Sequence, residues 1–86
     1  MKLDDRTRAL IAVGAAITAN CQPCLQSTTV MAQESGGDAQ EIAEAIEVGR
    51  MVRKGAASKM DKFIVSQNYA ALASVSEKDG GCGCNS

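Results

Sequence analysis

Apolar and polar positions along this chain recur with a period near 3.6, and over no useful length with a period of two. That pattern predicts helices and no sheet. From Asp4 to about Ala19, Leu3, Leu10, Gly14 and Ile17 lie on one stripe, with Ile11 and Val13 beside them. Thr7, Gly14 and Ala15 are small residues where another helix could come close, whereas Arg6 and Arg8 read as an exposed charged face. Asn20 is a natural stop. A second helix is expected to start around Cys21 to Pro23 and to run to about Glu34. On it Cys24, Thr28 and Met31 share one face, and Leu25, Thr29 and Ala32 form the next row. Ser35-Gly36-Gly37 supplies a glycine end signal.

Asp38-x-x-Glu41 reads as a capping box that opens a third helix. Its inward stripe is Ile42, Ala45, Ile46, Gly49 and Val52. Glu41, Glu44 and Glu47 stand toward its N-terminal half, and Arg50, Arg53 and Lys54 toward its C-terminal end, each sign at the favourable pole of the helix dipole. Gly55 is the expected stop, and Ser58-x-x-Asp61 the start of a fourth helix carrying Met60, Phe63, Ile64, Gln67 and Ala71. That helix should fade near Ser76. The expected architecture is an all-α bundle of about four helices over residues 1–76, followed by a flexible tail over 77–86 that carries Cys82 and Cys84.

Composition changes the picture in one respect. The chain has 86 residues, with one Phe, one Tyr and no Trp, so its core must be thin and aliphatic. A domain of that length buries only about 60–65% of the surface its unfolded chain exposes. Homo-oligomerisation through the first two helices is therefore expected. A net charge of −1 gives no basic surface for nucleic acid. The longest apolar run, Ala9 to Ile17, is too short to span a bilayer, and Asp4 and Asp5 interrupt anything resembling a secretory leader. Four cysteines in that setting read as redox or metal chemistry in the cytoplasm. The chain contains no histidine, which excludes Ser-His-Asp and Cys-His catalysis, zinc–His sites and an imidazole base within it.

The chemistry gathers at Cys21-Gln22-Pro23-Cys24, where one helical segment ends and the next begins. Two thiols at that spacing can close a disulfide once the residues between them turn into a helix. A helix N-terminus offers unpaired N–H groups and the positive end of the macrodipole, both of which favour thiolate over thiol. Pro23 suits a first helical turn, which needs no hydrogen bond from it. The residues thus propose a redox dithiol; the plain alternative is a pair of small core cysteines.

Thr7-Arg8-Ala9-Leu10-Ile11-Ala12, the Cys21–Leu25 stretch, the Gly36-Gly37 turn and Ala39-Gln40-Glu41-Ile42-Ala43-Glu44-Ala45-Ile46 resemble the carboxymuconolactone decarboxylase-like family. Together with Gly49–Ala57 they look like a short form of its alkylhydroperoxidase D-like branch. The resemblance implies an α-helical fold, obligate oligomers and thiol-dependent peroxidase or disulfide reductase chemistry at Cys21 and Cys24. In redox-active members a glutamate precedes the dithiol and a histidine follows it as a proton relay; the matching positions here are Ala9 and Thr28.

Three functions of different class follow. In the first, a thiol–disulfide oxidoreductase with weak peroxidase activity, Cys21 would be the more exposed attacking thiolate and Cys24 its resolving partner. The resemblance instead points to Cys24 as the peroxide-reacting sulfur, and both assignments stand. Thr28 would support a thiolate through its hydroxyl, or simply bond its own helix backbone. An external thiol would supply electrons, and Cys82 and Cys84 could shuttle them. The second class is soft metal or metalloid binding by the four thiols. The third is a non-catalytic helical assembly module. Decarboxylation fits poorly with a chain that lacks a histidine base.

Overall fold

A computed structural model describes residues 1–67, and among them the chain forms three helices: α1 Asp5–Thr18, α2 Gln22–Glu34 and α3 Ala39–Ser66. No strand occurs among the described residues, and none of the described helices is long and apolar enough to cross a membrane.

Local chemistry sets most of the helix ends. Asp4 adopts extended backbone and accepts the Thr7 N–H at 2.7 Å, which caps α1 and holds the Asp4 carboxyl below its ordinary value. At the other end Asn20 takes a left-handed φ of 56°. Its N–H donates to the Ile17 carbonyl at 3.1 Å, and the Cys21 N–H donates to the Ala16 carbonyl at 3.0 Å. This reversal closes the last carbonyls of the helix, and asparagine tolerates the conformation better than most residues. Gly36, with φ 95°, ends α2 in the same way. There the Gly36 N–H reaches Gln33 at 3.2 Å, and the Gly37 N–H reaches Ala32 at 2.8 Å.

The capping box expected at α3 is present in both directions. Asp38 Oδ1 accepts the Glu41 N–H at 2.8 Å, and Glu41 Oε1 accepts the Asp38 N–H at 3.1 Å. Glu41 also takes a hydrogen-bonded ion pair from Arg6 of α1. The Arg6 contact, and after it the Asp38 N–H, hold the Glu41 carboxyl below its usual range and raise the Arg6 guanidinium in turn.

The chain divides into two units, Met1–Ala56 and the part from Ala57 onward. In the first unit Ala9, Val13, Ala32 and Ile42 are buried together, with Leu10, Leu25, Ala45 and Ile46 packed against them. The buried row of α1 is Ala9, Val13 and Ala16, one position round from the anticipated stripe, whose Leu10, Gly14 and Ile17 are half-buried. The reason is that α1 has a helix on two sides, so its innermost row is the one that fits where all three meet. Small side chains fill that row. Val52, expected on the inward stripe of α3, is exposed.

Gly14 does not wait for a neighbouring subunit. A Cβ at Gly49 would lie 2.6 Å from the Gly14 carbonyl oxygen and 2.8 Å from Ile17 Cβ. The two glycines therefore mark a backbone-to-backbone crossing of α1 and α3. Thr18 Oγ1 lies 3.1 Å from the Gly14 carbonyl and 3.4 Å from that of Gly49, and donates across the crossing.

The expected break at Gly55 and restart at Ser58 do not occur, and α3 runs unbroken through both. A glycine inside a helix costs only about 1 kcal/mol relative to alanine, and Ala56 and Ala57 favour continuation. A stop needs the left-handed reversal found at Asn20 and Gly36, and Gly55 does not adopt it. In the second unit Met60, Phe63, Ile64 and Val65 of α3 are exposed. Ala71, the end near Ser76 and the 77–86 tail lie outside the described residues.

Candidate functional site

Cys21 belongs to two helix ends at once. Its N–H closes the C-terminus of α1, while its carbonyl accepts the Leu25 N–H at 3.0 Å, the first helical bond of α2. Its Sγ is the N-cap acceptor of α2, taking the Cys24 N–H at 3.2 Å. Backbone on both sides thus fixes the sulfur. Pro23 sits in the first turn, where its missing N–H costs nothing.

Cys21 and Cys24 are joined in a disulfide, with their Cα atoms 5.2 Å apart. No acidic residue occupies the first turn of α2, so the positive end of the helix acts on the sulfurs unopposed. Once the disulfide is reduced, the N–H on Cys21 Sγ and the helix end both stabilise a thiolate there. The expected exposure is reversed: Cys24 is exposed and Cys21 half-buried. Cys21 is reached instead through an open cleft of about 230 Å³, lined by Ala16, Ile17, Asn20, Cys21, Gln22, Leu25 and Arg53.

In the sequence Arg53 is only a charge matched to the α3 dipole. In the structure its Nη1 donates to Asn20 Oδ1 at 3.0 Å and to the Ile17 carbonyl at 3.3 Å. A cation there satisfies an end carbonyl of α1 and holds the residue preceding Cys21. The available signal was its spacing from Gly49. Four residues further on is one helical turn, so Arg53 falls on the face of α3 that crosses α1.

Neither relay position carries acid–base chemistry. Ala9 is 1% exposed within the apolar core, so that position is a packing site. Thr28 Oγ1 lies 2.8 Å from the Cys24 carbonyl and 3.3 Å from that of Leu25, so its hydroxyl donates to its own helix and not to a sulfur. Cys82 and Cys84 lie outside the described residues. Among the described residues no cluster of three or more His, Cys, Asp or Glu side chains is placed to hold a metal.

Compared with known proteins, residues 1–63 match the carboxymuconolactone decarboxylase family. No curated protein and no solved structure gives a significant match.

Proposed function

Starting from a chain that belongs to the carboxymuconolactone decarboxylase family, we propose that it is a thiol–disulfide oxidoreductase of the alkylhydroperoxidase D-like kind, working through Cys21 and Cys24. One observation carries this reading. The Cys21 sulfur is the N-cap acceptor of α2 and is closed in a disulfide with Cys24, one turn away. A core cysteine pair would need neither that cap nor the cleft beside it.

In the reduced protein the Cys21 thiolate attacks one sulfur of a substrate disulfide, forming a mixed disulfide and expelling the first substrate thiolate. Cys24, deprotonated, then attacks Cys21 Sγ, closes the Cys21–Cys24 bond and releases the second. Two electrons pass from protein to substrate, and two protons follow. An external thiol donor runs the same steps backwards to reset the dithiol.

Peroxide is a poorer substrate in this scheme. Attack on its O–O bond leaves a sulfenic acid on Cys21, which Cys24 resolves to the disulfide with loss of water. A positioned general base is worth about 10²–10⁴-fold in such a step, and Ala9 and Thr28 supply none. We further assign the protein to a homo-oligomer. Supporting this, Ile11 and Val48 are each 56% exposed and line an apolar groove between α1 and α3.

The test is turnover of a model disulfide such as 2-hydroxyethyl disulfide, with wild type, Cys21→Ser and Cys24→Ser. Catalytic turnover should fall below detection in both variants while helicity is kept. Wild-type turnover by either variant would exclude the reading.

A further inference from the structure

We propose that the cleft beside Cys21 selects substrate disulfides and thiols bearing a carboxylate close to sulfur, and that Arg53 receives that carboxylate. The proposal rests on the oxidoreductase reading and names its substrate class.

Arg53 differs from the other arginines. Arg6, Arg8 and Arg50 each pair with a carboxylate, on Glu41, Asp5 and Glu47 respectively. Arg53 has no such partner among the described residues, although it lines the cleft that exposes Cys21. Its Nη1 is held by Asn20 Oδ1 and the Ile17 carbonyl, which orients the guanidinium plane in advance. Among the described residues, Nε and Nη2 donate to no protein acceptor. A planar fork with donors to spare matches a carboxylate better than any neutral group.

The rest of the cleft agrees. Ala16, Ile17 and Leu25 give it an apolar side suited to the methylenes that join sulfur to carboxylate. At about 230 Å³ it lies below the range of pockets for drug-sized ligands, so it admits a fragment of a few heavy atoms. The α2 N-terminus, free of acidic residues in its first turn, adds to the positive field. The reaction is the exchange already described. One substrate disulfide and the two protein thiols give the protein disulfide and two substrate thiols, with two electrons and two protons transferred.

Three disulfides of similar size test the inference: 3,3′-dithiodipropionate (anionic), 2-hydroxyethyl disulfide (neutral) and cystamine (cationic). Rates of oxidation of the reduced full-length protein are measured by acid quench and intact mass, each divided by that disulfide's rate with free dithiothreitol, a neutral dithiol. The wild type should prefer the anionic over the neutral probe by about tenfold, the scale of one charge-assisted contact in a partly exposed cleft. Arg53→Gln should erase that preference, and Arg53→Lys should keep part of it. Added salt should reduce it, because the cleft is open to solvent.

A wild-type ratio near one would overturn the proposal. So would an Arg53→Gln variant that slows all three probes equally, because Arg53 would then act only by holding Asn20 and the end of α1. If the wild type reduced the neutral probe well but showed no charge selectivity, the oxidoreductase reading would survive without this one. If it reduced none of the three, both would fall.

Discussion

The proposed chemistry gives the two cysteines different roles. Cys21 Sγ accepts the Cys24 N–H and Cys21 lines the cleft, whereas Cys24 lies three residues further on, in the first turn of α2. Cys24→Ser should therefore accumulate a mixed disulfide on Cys21 when mixed with a substrate disulfide, and Cys21→Ser should trap far less. Peptide mapping of the adduct decides it, and an adduct found mainly on Cys24 of Cys21→Ser would reverse the assignment. The Cys21–Cys24 pairing was legible in the sequence because both cysteines lie within four consecutive residues at a helix start. The order of exposure was not, since it depends on how α1 ends against α3. Thr28 was legible only as a choice between two bonds, and the nearer backbone carbonyl wins at 2.8 Å.

At the level of helices the two glycines of α3 make opposite demands. A Cβ at Gly49 would strike the Gly14 carbonyl oxygen at 2.6 Å, and backbone cannot yield as a side chain can. Gly49→Ala should destabilise the fold by about 1–3 kcal/mol through overpacking. Gly55 is helical with nothing within 4 Å of an added Cβ, so Gly55→Ala should stabilise by about 0.5–1 kcal/mol. Thermal melts of the two variants read both signs directly. The junction of α1 with the start of α3 is pH-dependent. Glu41, ordinarily near 4.5, is lowered in the folded state by Arg6 and then by the Asp38 N–H. A lowered folded value means stability that is complete above the ordinary value and lost as pH falls through the folded one. The Tm gap between wild type and Glu41→Gln should accordingly be widest at neutral pH and should close in acid, as the pH falls through the lowered Glu41 value. An unchanged gap at acid pH would mean that the Arg6–Glu41 contact contributes nothing to folding.

For the molecule as a whole, the small core sets the expectation. Among the described residues Val13 is the largest fully buried side chain, while Ile11, Val48, Met51 and Val52 of the first unit stand more than half exposed. A core of this size leaves a domain short of stability on its own, and exposed aliphatic surface of this kind is commonly covered by another subunit. Sedimentation at micromolar concentration should show an oligomer, and Ile11→Glu with Val48→Glu should shift it toward smaller species. A well-folded monomer of the wild type would remove this assignment. The small residues of α1 were expected at a subunit contact, but Gly14 is consumed by the crossing with Gly49. The outward groove retains Ile11 and Ala15.

The sequence by itself determined the features whose partners lie within about six residues: the Asp38–Glu41 box, the reversals at Asn20 and Gly36, and the Cys21–Cys24 helix start. Each is a closed circuit of local hydrogen bonds, so residue type and spacing are enough to specify it. Gly55 shows the limit of such reading, because glycine ends a helix only where the reversal is also closed, and otherwise the helix continues at small cost. Only the tertiary structure decided that Gly14 meets Gly49, that Ala9 is core, and that Arg53 stands 33 positions along the chain from Asn20 yet bonds to it at 3.0 Å. Those relations depend on how each helix is rotated and crossed against the next, which the helical period leaves open until the apolar faces pack.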